Sequence, residues 1–264
     1  MGDENKPIAT RVKQRDLTLF DKIPSQSVVG DREAWLQLQD ALRSRSEGYV
    51  YLEIGSHLGG SIQNHLIDPQ CRKIISIDKR PPRQPDDRGQ VYEYENNSTE
   101  RMLKNLREIS ENDVAKIDCI DSDAADVAPE QISQPPNLCF IDGEHTRKAA
   151  LSDFRFCLSV CHPDGIIALH DDAIIWPALD DMRAELRSRG NDFQTIKLGG
   201  STFAFLLGTA ASRYPSLTTD PTSGDTFIKE QRSEARTEKW IRRPARILIP
   251  GFVRRMLKSL LGNS

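Results

Sequence analysis

Five short apolar runs alternate with helical stretches along the middle of the chain, and this alternation constrains the fold more than any other feature. The runs are YVYLEI (49–54), KIISID (73–78), KIDCI (116–120), NLCFID (137–142) and GIIALHD (165–171). Helical spacing of apolar residues predicts helices over 31–45, 59–67, 98–110, 146–160 and 177–189. Strands joined through helices need right-handed crossovers, which place helices on both faces of a parallel sheet.

Two more apolar runs follow, and they predict a hairpin. FQTIKL (193–198) and TFAFLL (202–207) are separated by a turn that contains Gly199 and Gly200. The sequence therefore predicts an α/β fold: a doubly wound seven-stranded sheet, mostly parallel, with an antiparallel last strand. Ligands of such sheets bind at the carboxyl ends of the strands.

The chain divides into three predicted segments. Residues 1–47 form an N-terminal arm and helix, residues 48–208 the α/β domain, and residues 209–264 a linker and a basic amphipathic tail. Within the domain, residues 80–97 carry three prolines and interrupt the alternation. This insertion lies near the expected ligand edge, so it is either a loop that covers the substrate or a plain surface loop.

Composition and cysteine usage indicate a cytoplasmic protein. No apolar run reaches the ~20 residues that span a bilayer, and the N-terminus lacks the apolar centre of a secretory signal. The five cysteines include no CxxC pair and lie mostly within apolar runs, which is typical of reduced core thiols.

The first strand runs into a glycine-containing turn that is typical of a cofactor site. In YLEIGSHLGGS, Glu53 stands near the strand tip, Gly55 follows it, and Gly59 and Gly60 open the next helix. Glycine lets a backbone approach a ligand closely, and a helix N-terminus favours an anionic group. The spacing is E-x-G-x-x-x-G-G, whereas dinucleotide sites use G-x-G-x-x-G, so a nicotinamide-dependent oxidoreductase is the less favoured alternative.

Acids also end the second and third strands. Asp78 follows KIISI, where a carboxylate can bind ribose hydroxyls, and Asp121 and Ser122 follow the third strand, on the side expected for an adenine. Each acid alone could be a solvated strand end, but three consecutive strand tips favour a nucleoside-containing cofactor.

Together, EIGSHLGGS, ISID, FIDGEHT and GIIALHDD resemble the class I S-adenosylmethionine-dependent methyltransferases, which have a Rossmann-like fold. More narrowly, they resemble the metal-dependent branch with catechol and macrolide-sugar O-methyltransferases. The resemblance covers about residues 48–208 and implies S-adenosyl-L-methionine as the cofactor.

The resemblance also implies roles for individual residues. It places Glu53, Gly55, Ser56 and Gly59 around the methionine part of the cofactor, Asp78 at the ribose, and Asp121 and Ser122 on the adenine side. His57 lies in a loop that varies in the family, and it either contacts the cofactor carboxylate or faces solvent.

A metal site is implied at the tips of the last two parallel strands. In the metal-dependent branch, acids at the positions of Asp142, Asp171 and Asp172 hold a divalent cation, and oxygen ligands suit Mg²⁺ or Mn²⁺. The alternative is that these acids are helix caps and surface charge. His145 is the candidate catalytic base beside Asp142, whereas strand alternation points His170 away from Asp171 and leaves it a supporting role at best.

The tail combines basic and apolar residues. Phe252, Val253, Met256, Leu257, Leu260 and Leu261 share a helical face opposed by Arg254, Arg255 and Lys258. Such a helix is typical of a membrane surface contact, here the inner membrane face, and the alternative is docking on the protein's own body or on a second subunit of a homo-oligomer. Nucleic-acid binding is not expected, because the rest of the chain is acidic.

The sequence thus predicts a metal-assisted O-methyltransferase that acts on a hydroxyl of a sugar, glycan or glycolipid. Histidine at position 145, where catechol-type relatives have lysine, favours the sugar acceptor. The alternatives are an aromatic diol or other small molecule as acceptor, and a non-catalytic cofactor-binding scaffold.

Overall fold

The computed structural model describes residues 6–219 and 222–241 of the chain. The described helices are α1 (Ile8–Lys13), α2 (Val29–Leu42), α3 (Gln63–Leu66), α4 (Thr99–Ile109), α5 (Arg147–Val160), α6 (Asp172–Ser188), α7 (Ala210–Arg213) and α8 (Gly224–Ile241). The described strands are β1 (Tyr49–Ile54), β2 (Cys71–Ile77), β3 (Arg83–Pro85), β4 (Val91–Glu93), β5 (Ile117–Ile120), β6 (Leu138–Ile141), β7 (Ile166–Leu169), β8 (Phe193–Lys197), β9 (Phe203–Leu207) and β10 (Thr222–Ser223).

The central sheet confirms the predicted α/β architecture and adds a strand. Its order is β10-β8-β9-β7-β6-β1-β2-β5, with parallel pairing from β7 to β5 and antiparallel pairing among β7, β9, β8 and β10. The sheet has eight strands rather than seven, because the two-residue β10 pairs with the edge strand β8. Such a short strand has no periodicity for a sequence pattern to detect.

The sheet is buried on both faces, as a parallel sheet between helical layers requires. Tyr49 and Tyr51 of β1 pack in one apolar cluster with α2, α3 and α4, whereas Val50 and Leu52 pack in another with α5 and α6. Each fully buried large apolar side chain stabilises the fold by roughly 1.5–3 kcal/mol relative to exposure.

Two predicted helix starts are wrong. The helix predicted from Gly59 begins only at Gln63. The helix predicted from Pro177 is α6, which begins at Asp172 and contains Pro177 in its second turn. The chain turns directly from β7 into the helix, where the carbonyl of Asp171 accepts from the amides of Ile174 and Ile175. The helix therefore begins next to the acids at the tip of β7.

Helix α2, within the predicted N-terminal segment, contributes to the core. Trp35, Leu38 and Leu42 of α2 are buried.

The described chain divides into two compact units, of which the first runs to Ile228 and the second begins at Lys229. The predicted amphipathic face from Phe252 to Leu261 lies outside the described residues, and the segment boundaries at 47 and 208 stay predictions. No described helix is long and apolar enough to cross a membrane, and all five cysteines are free thiols.

Candidate active site

Two adjoining clefts lie at the carboxyl edge of the sheet, and they share Gly55 and Asp78 as a common wall. The first holds an empty volume of ≈ 680 Å³ and the second ≈ 960 Å³, both counting space open to solvent. The first cleft is lined by Gly55, Ser56, His57, Gly60, Ser61, Asp78, Asp142, His145, His170 and Asp171, by Trp35 of α2, by residues 24–26 and Leu58, and by Gln84, Tyr94 and Asn97 of the insertion.

Gly55 is required where the backbone after β1 closely approaches the backbone after β6. Its φ is +93°, and a Cβ there would lie 2.1 Å from the carbonyl oxygen of Asp142. Any side chain would push the loop after β1 away from the loop after β6, and so separate the predicted cofactor and metal residues. Gly59 is also left-handed, at φ +88°, where its backbone packs against Leu106 and Met102.

Glu53 lies beneath the site rather than in it. Its carboxylate is fully buried, accepts a hydrogen bond from the Tyr51 hydroxyl at 3.0 Å, and accepts another from the Ser61 hydroxyl. Burial, reinforced by the charge of Asp142 and opposed by these hydrogen bonds, raises the pKa of Glu53 to about 8. Ser61 lines the first cleft, and its hydrogen bond to Glu53 holds its hydroxyl in place.

Asp78, the predicted ribose ligand, lies on the wall that the two clefts share. It is buried and accepts from the backbone amides of His57 at 2.9 Å and Arg80 at 2.7 Å. The Arg80 guanidinium lies 3.3 Å from the same carboxylate. These contacts fix the carboxylate in the wall of the two clefts.

The neighbouring loop residues are also held in place. The Ser56 hydroxyl accepts from the Ser76 hydroxyl at 2.7 Å. His57 is left-handed, with φ 42°, and its ring lines the first cleft with a T-shaped contact to Tyr94 at 5.0 Å between centroids. Burial lowers the pKa of His57, so the ring is neutral at physiological pH.

The two residues expected on the adenine side differ in position. Ser122 lines the second cleft. Asp121 does not, since its carboxylate accepts from the Thr99 hydroxyl and lies 3.6 Å from the Arg80 guanidinium. Asp121 and Ser122 are consecutive residues beyond the tip of β5, yet only the Ser122 side chain lines the second cleft.

Asp142, Asp171, His145 and His170 converge at one end of the first cleft. The Asp142 carboxylate lies 3.0 Å from Nδ1 of His170 and 3.5 Å from Nε2 of His145. The Asp171 carboxylate lies 3.2 Å from Nε2 of His145 and 3.5 Å from Nδ1 of His170. Asp142, Asp171 and His170 each offer a ligand atom, and the three atoms lie within 4.8 Å of one another.

His170 is more central than the sequence predicted. The alternation argument fails because β7 ends at Leu169, and Asp171 then takes a left-handed conformation with φ 54°. Both side chains therefore face Asp142. Nε2 of His170 lies 3.2 Å from a third carboxylate, Asp31 of α2.

Asp31, at the start of the helix predicted over 31–45, is a site residue that the sequence analysis did not identify. It is the third residue of α2, and it accepts from the amide of Val28 and from the amide and hydroxyl of Ser201. An acid in the first turn of a helix is common, so its sequence context gave no signal of this contact. Asp31 and His170 are 139 positions apart, and a single sequence does not indicate that two such distant residues are in contact.

Asp172 corrects the predicted ligand set. Its side chain is 2% exposed and its carboxylate pairs with Lys197 at 2.9 Å. As the first residue of α6 it points toward β8, away from Asp142. The lysine neutralises this acid, so Asp172 is separated from the group that could bind a cation.

Electrostatics tie the converging groups together. Burial opposes charge on Asp142, His145 and His170, but the charge of His170 and the contact of Asp142 with His145 hold the pKa of Asp142 well below its usual range. Burial also opposes the charged form of His170, yet Asp142, Asp171 and Asp31 raise its pKa strongly. The hydrogen bond and charge of Asp142 raise the pKa of His145 in the same way.

The insertion forms a hairpin over this end of the first cleft. Strands β3 and β4 pair as a separate antiparallel sheet. The Asp87 carboxylate accepts from the amide of Arg147 at 2.6 Å, and the Asp87 amide donates to the carbonyl of His145 at 3.3 Å. The insertion is thus anchored to the loop that carries the predicted base.

Comparison with known proteins identifies a methyltransferase family model that matches part of the chain. Residues 52–171 match a family model described as a methyltransferase domain. No curated protein sequence matches the chain.

Several solved structures are similar to this chain. CalS11, a calicheamicin methyltransferase, has a TM-score of 0.50 and 14% identity, over 77% of this chain and 94% of that chain. The O-methyltransferase TomG from Streptomyces achromogenes, involved in tomaymycin synthesis and solved with S-adenosylmethionine, has a TM-score of 0.48 and 16% identity, over 78% and 91%. An O-methyltransferase from Bacillus cereus, in complex with S-adenosylhomocysteine, has a TM-score of 0.48 and 14% identity, over 78% and 94%.

The family match adds what the fold alone does not show. The matched segment contains the loop after β1, the tips of β2 and β6, and Asp171. These are the positions at which the resemblance placed the cofactor and the metal. Residues 52–171 therefore match a methyltransferase domain, in agreement with the predicted resemblance to the class I S-adenosylmethionine-dependent methyltransferases.

Proposed function

We propose that the protein transfers a methyl group from S-adenosylmethionine to a hydroxyl group, with the help of a divalent cation. The observation that carries this proposal is the convergence of Asp142, Asp171, His145 and His170 beside the wall formed by Gly55 and Asp78. A methyl donor anchored on that wall and a hydroxyl near the histidines would share one cleft.

The chemistry of these side chains fits a cation. Two carboxylates and an imidazole suit Mn²⁺, and Mg²⁺ where water supplies the further ligands. Metal-binding histidines usually donate their other ring N–H to a carboxylate, and His170 directs Nδ1 toward Asp142 and Nε2 toward Asp31. Asp142, His170 Nδ1 and Asp171 would hold the ion, with Asp31 orienting the imidazole. When bound, the cation would lower the pKa of a coordinated hydroxyl.

The chain's own residues account for the remaining steps. His145 lines the cleft, and its Nε2 lies 3.5 Å from the Asp142 carboxylate and 3.2 Å from the Asp171 carboxylate. It would accept the proton of the hydroxyl, and its raised pKa makes it a stronger base once deprotonated. The oxygen then forms a bond to the methyl carbon while the electrons of the C–S bond return to sulfur. Holding donor and acceptor in line supplies much of the acceleration.

The rim of the first cleft favours a sugar or glycan acceptor. The side-chain amides of Gln26, Gln84 and Asn97 line it, and amides both donate to and accept from hydroxyl groups. Tyr94 and Trp35 add aromatic surface, which can pack against the apolar face of a sugar ring. An aromatic diol is the second candidate acceptor, since the same rings could stack on it.

A matched pair of variants tests the cation site. Asp171→Asn should weaken Mn²⁺ binding at least tenfold, while Asp172→Asn should leave the affinity unchanged, because Asp172 is paired with Lys197. Calorimetric titration with MnCl₂ measures both, and S-adenosylhomocysteine binding checks that the cofactor site is intact. Equal Mn²⁺ affinity in the wild type and Asp171→Asn would refute the cation proposal.

We also propose that the C-terminal tail contacts the inner membrane face of the cytoplasm. This rests on the basic and apolar residues between Phe252 and Leu261, and basic residues near an anionic surface contribute about 1 kcal/mol each. Flotation of the full chain with anionic vesicles, compared with neutral vesicles, tests it. A tail that instead joins two subunits would give no flotation and a dimer in analytical ultracentrifugation.

A further inference from the structure

The second cleft contains a buried carboxyl group that the proposed chemistry does not use. Asp153 of α5 is 6% exposed and lines this cleft. It forms no hydrogen bond or ion pair with any residue in the described part of the chain. A buried carboxyl without a partner costs free energy unless a ligand or solvent satisfies it.

The neighbouring charged groups do not satisfy Asp153. Lys79 lies near enough to lower its pKa, but the Lys79 ammonium is bound to Glu144 at 3.1 Å and to Asp123 at 3.5 Å. Burial, reinforced by the charge of Asp123, raises the pKa of Asp153 to about 7. The Asp153 oxygen instead lies against the backbone of Gly143, where an added Cβ would approach it to 3.1 Å.

The position of the cleft indicates which part of the cofactor reaches Asp153. Both clefts share Asp78, the expected ribose ligand, and the first contains the histidines and acids of the proposed transfer site. A cofactor anchored at Asp78 with its sulfonium in the first cleft must direct its base into the second. Ala124, Ala125 and Ala149 line that cleft, and their small side chains leave room for a flat ring.

We propose that Asp153 recognises the adenine by accepting a hydrogen bond from its exocyclic amino group, and so selects adenine over a base with a carbonyl at that position. The proposal rests on the cofactor assignment above. The amino group is the one strong donor on the adenine ring, whereas Asp121, the acid expected there from sequence, is bound to Thr99 outside the cleft. A site built around one hydrogen bond rejects an analogue that cannot make it, because the buried group is left unpaired.

The test compares S-adenosylhomocysteine with its deaminated analogue S-inosylhomocysteine, in which a carbonyl replaces the exocyclic amino group and the adjacent N1 carries a hydrogen. The full-length wild type should bind the adenosine form at least tenfold more tightly. Asp153→Asn should reduce this ratio to about threefold or less, since the amide can turn its NH₂ toward a carbonyl. Glu144→Gln, on the same cleft but paired with Lys79, should keep the wild-type ratio.

Stability separates ligand recognition from a structural role. Because Asp153 has no described protein partner, Asp153→Asn should unfold at the same temperature as the wild type or a higher one. An unchanged ligand ratio in Asp153→Asn, or a lowered unfolding temperature with both affinities reduced equally, would overturn the proposal. Failure of the wild type to bind S-adenosylhomocysteine at all would overturn the cofactor assignment itself.

Discussion

Glu53→Gln should change how the stability of the ligand-free protein depends on pH. The side chain is fully buried, and burial raises its pKa from 4.5 to about 8 in the folded protein. Below pH 4.5 the carboxyl is protonated in both the folded and unfolded states. Between these values only the unfolded state loses the proton, so the stability associated with the neutral carboxyl declines as pH rises and is lost above about pH 8.

The size of the effect follows from the same shift. At about 1.4 kcal/mol per pKa unit, it corresponds to at most ~5 kcal/mol of unfolding free energy across that range. Glutamine keeps the shape and cannot ionise, so Glu53→Gln should lack this decline. The difference in unfolding free energy between wild type and Glu53→Gln should change by up to ~1.4 kcal/mol per pH unit between pH 5 and 8.

Urea denaturation of both proteins from pH 5 to pH 9 measures this difference. Taking the difference removes the contributions of other titrating groups, among them Asp153 and His170. Exposed Glu108 provides a matched control, since Glu108→Gln should run parallel to the wild type. If the difference in unfolding free energy between wild type and Glu53→Gln does not change with pH, Glu53 is already ionised in the folded protein, and the reasoning is refuted.

Three further variants test the site. Gly55→Ala should destabilise the fold by more than ~2 kcal/mol and abolish S-adenosylhomocysteine binding, because position 55 has a left-handed φ and the new Cβ would lie 2.1 Å from the carbonyl oxygen of Asp142. Gly190 is also left-handed but has open space around it, so Gly190→Ala should cost only ~1–2 kcal/mol. Equal losses of stability in the two variants would contradict the steric argument. Asp31→Ala should cost ~3–5 kcal/mol in urea denaturation by leaving His170 without a partner at Nε2, and a loss below 1 kcal/mol would count against that pairing. Asp87→Ala should raise the KM for the acceptor several-fold and leave the Kd for S-adenosylhomocysteine unchanged, because it removes the hydrogen bond that anchors the insertion to Arg147. A change in the cofactor Kd alone would indicate that the hairpin contacts the cofactor instead of the acceptor.

The sequence predicted the sheet and the tips of its strands because both depend on local patterns. Apolar runs mark the strands, and the parallel topology brings the residues after them to one edge, so Gly55, Asp78 and Asp142 meet as expected. The direction of a side chain beyond a strand tip is not local. Asp171 leaves the strand in a left-handed turn, and this reverses the predicted roles of His170 and Asp172.

Long-range pairs were also beyond the sequence pattern. The contact of Asp31 with His170 depends on how α2 packs across the end of the sheet, and an ordinary helix start gives no indication of it. Asp153 was missed for a similar reason, since an acid within an amphipathic helix is expected to face solvent. Its burial against Gly143 follows from the close packing of α5 on the loop after β6.

The identity of the bound cofactor tests the account most directly. Calorimetric titration of the full-length protein with S-adenosylhomocysteine should give one saturable site, whereas NADH should give no heat of binding under the same conditions. The glycine spacing after β1 and the shared Gly55 and Asp78 wall both predict this result. Saturable binding of NADH together with no response to S-adenosylhomocysteine would contradict the account.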